Sequence, residues 1–223
     1  ATYDGTRWTV PTATATATGS ATLQGHYTPA TGALDGQADL RALSPAALHT
    51  ALAAAPLSGR IRAHTEGTTV RFQADIRAAG AAATPLPASA GRPAPLRINA
   101  FTTQGRWQAP SGAEGAGGTL LLEHLGLDGQ QARVEATQLR IAPGARSAQG
   151  QLVLTVPGAT ARASGQIAPH TGAGDLQLQW RDIDRTQRWL STLPVVGAEL
   201  QRTLRGATAK GAVQISAQWK GGW

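Results

Sequence analysis

The side chains that most often perform catalysis are present in this chain, but their spacing forms no known catalytic arrangement. No two histidines stand at the i, i+4 spacing that places two zinc ligands on one helix face. Glu123 and His124 are adjacent, which does not match that helix motif either. The serines lie in no nucleophile-elbow pattern. The histidines are His26, His49, His64, His124 and His170.

Other residue types offer no stronger chemistry. The glycine-rich stretch 112–118 lacks the Gly-Lys-Ser/Thr of a phosphate-binding loop and follows no strand-to-helix signal. Asp182 and Asp184 are placed to cap a helix, which is a commoner role than acid–base catalysis. The chain has 0 Cys, which excludes thiolate metal sites and a disulfide scaffold. The sequence therefore predicts a protein that is not an enzyme and that binds no cofactor or metal.

The charged residues indicate a solvated surface and no nucleic-acid partner. The formal net charge is +7, but the arginines are dispersed along the chain and are not interleaved with aromatic residues. Arg71 and Arg77, for example, stand on the polar side of one predicted strand. A weak attraction to anionic lipid head groups is the main functional alternative for this excess of positive charge.

Most of the chain has the period-2 alternation of strands with one apolar side. Glycine and proline separate the alternating segments, as expected for strands joined by turns. The apolar residues are mainly Leu, Val, Ile and Ala, since aromatic residues make up only 4% of the chain. The clearest predicted strands are 69–78, 96–100, 151–158, 174–180 and 211–220.

Two segments depart from a regular strand pattern. The alternation slips between Val134 and the pair Leu139 and Ile141, which predicts a β-bulge. The threonine–alanine alternation at 12–20 is β-prone, but its short side chains leave its two sides weakly distinguished.

A first helix is predicted over 44–56. Ser44 suits the N-cap and Pro45 the first helical position. Leu43 and Leu48 are spaced as a hydrophobic staple, and Pro56 would end the helix.

A second helix is predicted to start near Asp184, to break at Pro194 and Gly197, and to resume over 198–205. Because both predicted helices stand between strands, they suggest a β-helix-β repeat, for which coincidence is the alternative. The chain is predicted to be one elongated segment, 1–223, with a division into two repeat units at about 1–95 and 96–223 as a variant.

The alternation is compatible with two architectures. In a closed sandwich, the apolar sides of two sheets fill each other. In an open sheet, the apolar side is left for a ligand. The pattern alone favours the sandwich.

No stretch approaches ~20 apolar residues, so no membrane-spanning helix is predicted. The chain is predicted to be an internal fragment of a longer protein.

The last third of the chain reverses the preference for a closed sandwich over an open sheet. Residues 178–223 read LQWRDIDRTQRWLSTLPVVGAELQRTLRGATAKGAVQISAQWKGGW: a strand, a DID sequence into an amphipathic helix, a Pro-Gly break and a closing strand. This segment resembles the TamB family of the bacterial translocation and assembly module. The earlier ADLRALSPAALHTALAAAPLSGRIRA shows the same order of leucine-rich helix, small-residue turn and strand.

The resemblance implies a mainly β fold. The expected architecture is an elongated, strongly curved, taco-like sheet with an apolar groove and one or two short peripheral helices. The residues expected to line the groove are Val70, Phe72, Ile76, Leu96, Ile98, Leu152, Leu154, Val156, Leu176, Leu178, Trp180, Val213 and Ile215.

The resemblance also implies a function. A periplasmic segment of such a protein would conduct phospholipid, through contacts with its acyl chains, between the inner and outer membranes. The full-length protein would be anchored in the inner membrane and would work with a TamA-like outer-membrane barrel protein. One alternative is a scaffold that helps to insert unfolded outer-membrane proteins through its strand edges. Another is a secreted, β-rich adhesin-like domain, suggested by the Thr/Ala/Gly composition.

Overall fold

A single antiparallel sheet contains every strand of the computed structural model, which describes residues 1–47, 49, 51–79, 95–110, 117–193 and 210–222. Each of the 13 strands pairs with the next one in the chain, so the strand order in space equals the order in sequence. The sheet is not closed: its first and last strands do not pair with each other in the described residues. The mainly β fold predicted from the sequence is therefore confirmed.

The strands are about ten residues long, apart from the first. The first seven are β1 (Thr2–Tyr3), β2 (Trp8–Ala17), β3 (Gly19–Thr28), β4 (Ala33–Leu43), β5 (Leu57–Glu66), β6 (Thr69–Ala78) and β7 (Ile98–Gln108). The remaining six are β8 (Thr119–Gly129), β9 (Ala132–Ala142), β10 (Ser147–Val156), β11 (Ala159–Ala168), β12 (Thr171–Trp180) and β13 (Val213–Gly221). Strands β6 and β7 pair across the predicted division at residue 95, so both halves of the chain share one sheet.

The predicted bulge is present in β9. Gln149 pairs with Arg140 and Gln151 with Thr137, so two residues of β9 lie opposite one residue of β10. Gln138, one of these two, has a φ of +51°. This extra residue is why Leu139 and Ile141 keep to the same side as Val134 despite the slip in their spacing.

A strained two-residue turn joins β8 and β9 into a hairpin. Gln130 and Gln131 have φ of +49° and +62°. Two positive φ values are the signature of a type I′ turn, which favours asparagine and glycine over residues with longer side chains. The side chain of Gln130 has a further role, because its Oε1 accepts a hydrogen bond from the backbone N–H of Arg97.

Gln131→Gly is therefore expected to raise the free energy of unfolding. The gain should be about 1 kcal/mol, since a left-handed conformation costs a residue with a β-carbon roughly that much. Urea denaturation measures it. The matched control is Gln166→Gly inside β11, where glycine should cost about 0.5–1 kcal/mol. A loss of stability in Gln131→Gly would contradict the strain assigned to this turn.

One α-helix is present in the described residues, and it starts close to the predicted point. Helix α1 spans Ile183–Ser191, with Asp182 as its N-cap. The carboxylate of Asp182 accepts a hydrogen bond from the backbone N–H of Arg185 at 2.9 Å. Asp184 lies in the first turn, where a negative charge favours the helix dipole. The predicted continuation over 198–205 lies outside the described residues.

The first predicted helix is wrong. The structure has only a 3-10 turn, Pro45–Ala47, and 53–56 are not helical. Leu48, the predicted staple residue, lies outside the described residues. Leu52 instead forms a parallel bridge with Leu96, and the backbone N–H of Ala53 donates to the carbonyl of Leu96. A short helix gains little on its own, so pairing with a distant segment replaces it.

The described residues contain little closed core. The buried hydrophobic residues are four alanines and one leucine, and no large side chain is fully buried. The predicted sandwich needs a second sheet to cover the first, and the described residues form only one sheet. The sandwich interpretation is therefore not supported.

The apolar face of the sheet as a candidate functional site

The strand register places apolar residues on one side of the whole sheet. Residues directly opposite each other on neighbouring strands point to the same side, so the pairings can be followed from β13 to β2. One such row crosses twelve strands and contains no polar side chain. It comprises Ile215, Leu178, Ala161, Leu154, Val134, Leu127, Phe101, Ile76, Gly59, Leu40, Ala21 and Ala15.

A second row runs two residues away on the same side. It alternates between large and small side chains along most of its length, and Thr103 is its one polar member. It comprises Ala217, Leu176, Ala163, Leu152, Ala136, Leu125, Thr103, Ala74, Ile61, Ala38, Leu23 and Ala13. The side of the sheet that carries these two rows is called the apolar face below.

The structure brings twelve of the thirteen predicted groove residues to this apolar face. The pairings of Val70 with Trp107, Phe72 with Gly105 and Ile98 with Gly129 place all three there. Val156, Trp180 and Val213 join it through Ala159 and the direct pairing of Trp180 with Val213. Leu96 is the exception, because it lies before β7 in the bridge to Leu52. Lipid contact by these residues stays a prediction.

The apolar face is also where the exposed hydrophobic side chains lie. Leu152 is 45% exposed although its strand has a neighbour on each side, and Ile215, on the edge strand β13, is 43% exposed. All twelve large hydrophobic residues that are exposed among the described residues belong to this face. They are Tyr3, Trp8, Leu23, Tyr27, Ile61, Leu127, Leu152, Leu154, Ile167, Leu176, Val213 and Ile215.

Several of these residues were missed at the sequence level. Leu23 and Tyr27 are separated by Gly25, and Ile61 follows Gly59, so glycine interrupts the apolar alternation. Each of them pairs with another residue of the apolar face, as Leu23 does with Ala38, and this pairing shows where it lies. Only the register identifies them as members of the same face.

Aromatic rings lie over glycines on this face. The ring of Phe72 lies where a β-carbon of Gly105 would be, and Trp107 does the same at Gly118. The indole of Trp219, on the last strand, covers both Gly165 and Gly174. Such ring-over-glycine contacts between strands compensate for the missing glycine side chain. The two contacts of Trp219 hold β13 against β11 and β12.

The opposite side of the sheet is polar and carries ion pairs. Arg60 contacts Asp39 at 2.7 Å across β4 and β5, and its hydrogen bond lowers the pKa of the Asp39 carboxyl. Arg77 likewise lowers the pKa of the Asp75 carboxyl. The Asp75 carboxylate is exposed and that of Asp39 is partly exposed, so the pairs orient side chains more than they stabilise the fold.

Helix α1 lies across one end of the sheet. The Thr186 hydroxyl donates to the carbonyl of Pro157 at 2.7 Å, in the turn between β10 and β11. The indole N–H of Trp189 donates to the carbonyl of Gln130 at 2.6 Å, in the turn between β8 and β9. The helix thus lies across the ends of four strands, with Thr186 only 3% exposed. This position agrees with a peripheral helix.

The described residues contain no group of three or more His, Cys, Asp or Glu side chains placed to hold a metal ion. In the same residues, no helix is both long and apolar enough to cross a membrane.

Comparison of this chain with protein-family models, with curated proteins and with solved structures gives no match.

Proposed function

We propose that the apolar face binds lipid acyl chains and that the chain is a periplasmic segment of a TamB-like protein that conducts phospholipid between the inner and outer membranes. The carrying observation is that every exposed large hydrophobic residue of the described chain lies on this one face. Contiguous exposed apolar surface of this extent marks a surface that binds something apolar. The resemblance of residues 178–223 to the TamB family supplies the kind of ligand.

The energetics suit a lipid ligand. Each CH₂ group taken out of water contributes ~0.8 kcal/mol, so a long acyl chain crossing an aqueous gap needs on the order of 10 kcal/mol of shielding. A row of apolar residues that continues across twelve strands would provide that shielding without any chemical step. Side chains that remain partly exposed are available to exchange water for hydrocarbon.

One strand of the face has the dimensions of an acyl-chain channel. On β11 the apolar face carries only Ala159, Ala161, Ala163 and Gly165 before Ile167. Leucines of β10 and β12 stand on both sides of this strip, about 10 Å apart by strand spacing. The indole of Trp219 covers Gly165, so the open strip runs from Ala159 to Ala163 and is about 13 Å long. One extended hydrocarbon chain fits between such walls, with carbon–carbon contacts near ~4 Å.

In the proposed function the sheet curves around this face to form a groove, and α1 closes one side of it. The bulges in β2, β4 and β9 support such curvature, because a bulge bends and twists its strand. The full-length protein would be anchored in the inner membrane, with a TamA-like barrel protein as its outer-membrane partner.

Native mass spectrometry of the purified domain tests the proposal directly. We expect phospholipid to remain bound after mild purification, and a fluorescent fatty acid to bind in competition with it. If neither phospholipid nor fatty acid binds the folded domain, the proposal is wrong.

A second candidate is supported by the last strand of the sheet. Strand β13 pairs only with β12, and no described strand pairs with its other edge. Seven other residues of β13 are exposed besides Val213. At the other edge, β1 covers the start of β2, and Pro11 and a bulge in β2 hinder strand addition beyond it. An unfolded outer-membrane protein or a TamA-like barrel could therefore add a strand at β13.

Crosslinking separates the two candidates. A photoreactive residue at Ser216 should capture an unfolded barrel protein if β13 accepts a strand. A photoreactive residue at Ile215, on the apolar face, should capture lipid if the face binds acyl chains. Capture of protein at Ser216 without any capture of lipid at Ile215 would favour strand addition over lipid conduction.

A further inference from the structure

A cluster of charged side chains and a serine lies on the polar side of the sheet, opposite the apolar face. Strands β4, β5 and β6 line a shallow, open hollow of about 520 Å³ there. Its polar side chains come from alternate positions of the three strands, so they point away from the apolar face, which carries the other two lining residues, Leu40 and Gly59. Its charged residues are three arginines and two aspartates, Arg41, Arg60, Arg77, Asp39 and Asp75.

A bulge determines the shape of this hollow. Leu40 pairs with Gly59 and Leu43 with Leu57, so Arg41 and Ala42 together lie opposite Ser58. Ala42 has a φ of +51°, and its backbone N–H donates to the Oγ of Ser58 at 2.9 Å. Bulges of this kind often re-aim a side chain at the rim of a sheet. Here the bulge uses one lone pair of the Ser58 hydroxyl and leaves its proton free to donate.

Two guanidinium groups flank that hydroxyl. Ser58 pairs directly with Arg77 on β6, and Arg41 lies on its other side on β4. Arg77 gives two of its five N–H groups to Asp75, at 2.9 and 3.3 Å, and keeps three. Arg41 makes no hydrogen bond or ion pair with the described residues, although its charge contributes to lowering the pKa of the Asp39 carboxyl. Arg60, between the two aspartates, is held by Asp39 at 2.7 Å.

We propose that the hollow formed by Arg41, Ser58 and Arg77 binds a phosphate monoester group. Two guanidiniums and a hydroxyl donor match the three acceptor oxygens of such a group and its charge of nearly −2. The two aspartates are ionised, because hydrogen bonds from Arg60 and Arg77 lower their pKa values. They hold those arginines in position, and the hollow keeps one excess positive charge. The site is independent of acyl-chain binding, since it lies on the opposite side of the sheet.

Titration with phenyl phosphate tests this site, observed by NMR at the backbone amides of Arg41 and Ser58. We expect saturable binding that strengthens from pH 5 to pH 7.5, because the second pKa of a phosphate monoester is about 6. Arg41→Gln should weaken the affinity about tenfold and Ser58→Ala severalfold, as expected for charge-assisted and neutral hydrogen bonds. Circular dichroism checks that both variants remain folded.

The matched control is Arg162→Gln. Arg162 is an exposed arginine on the polar side of β11, remote from the hollow, and its loss changes the net charge equally. We expect its affinity for phenyl phosphate to be unchanged. Equal weakening in Arg162→Gln and Arg41→Gln, equal affinity for phenyl sulfate, or no saturable binding would each overturn the proposal.

Vesicles identify the source of the monoester. Phosphatidylcholine vesicles that contain phosphatidic acid carry the same group on a membrane. Binding to them that depends on Arg41 would identify a lipid head group as the ligand. Binding of phenyl phosphate without vesicle binding would identify a soluble phosphate ester. Loss of fatty-acid binding by the apolar face in Leu154→Arg should leave this titration unchanged, so the two proposals fail separately.

Discussion

Leu154→Arg is expected to abolish acyl-chain binding while the domain remains folded. Leu154 is 36% exposed and lies in the row of apolar residues that crosses the sheet, beside the alanine strip of β11. A charge there must be dehydrated whenever hydrocarbon covers it, which costs several kcal/mol. In the absence of lipid, the flexible arginine can keep its head group in water. Fatty-acid affinity should fall more than tenfold, while the melting temperature changes by only a few degrees.

Thr155→Arg is the matched control. Thr155 is the next residue of the same strand, is exposed and points to the polar side. The variant adds the same charge at nearly the same place, and we expect it to bind fatty acid normally. Two outcomes would count against the proposed function: normal fatty-acid binding by Leu154→Arg, or equal losses in both variants. Unfolding of Leu154→Arg alone would indicate that this face is covered in the native protein.

Gly174→Ala is expected to be the most destabilising small substitution in the C-terminal part of the sheet. A β-carbon at this position would overlap both the carbonyl oxygen of Ser164 and the indole of Trp219. Neither group can move freely, because one is backbone and the other is packed over two glycines. We expect a loss of about 3 kcal/mol in the free energy of unfolding, at the upper end of overpacking effects. Urea denaturation measures this loss.

Gly221→Ala serves as its control. Gly221 lies in the neighbouring strand, and a β-carbon there would meet nothing within 4 Å. Its substitution should change stability by less than about 0.5 kcal/mol. Combining Gly174→Ala with Trp219→Ala should recover part of the loss, because the indole overlap is removed and the carbonyl overlap remains. A purely additive double variant would show that the ring does not cover Gly174.

The local features of this fold were accessible from the sequence. Period-2 alternation identified segments such as 69–78 and 211–220 as strands, because a strand side chain must point to one side or the other. The slip between Val134 and Leu139 identified the bulge in β9 for the same reason. Asp184 marked the start of α1 to within two residues, since capping is a local interaction.

Features that depend on contacts between distant residues were not accessible. The segment after Ser44 has good helix signals, yet the bridge between Leu52 and Leu96 replaces the helix. The contact of Trp219 with Gly165 and Gly174 joins three strands, and no spacing along the chain predicts it. The same holds for Arg41, Ser58 and Arg77, which a bulge and a strand register bring together.

The sequence by itself determined that this is a chain of amphipathic strands, because alternation of apolar and polar residues is a property of each strand alone. It did not determine what covers their apolar sides, because its pattern fitted both a closed sandwich, which it favoured, and an open sheet. Only the tertiary structure decided this. Pairing in chain order puts all the strands in one sheet, and their register sends Leu152, Leu154 and Ile215 to one face that the described residues leave exposed.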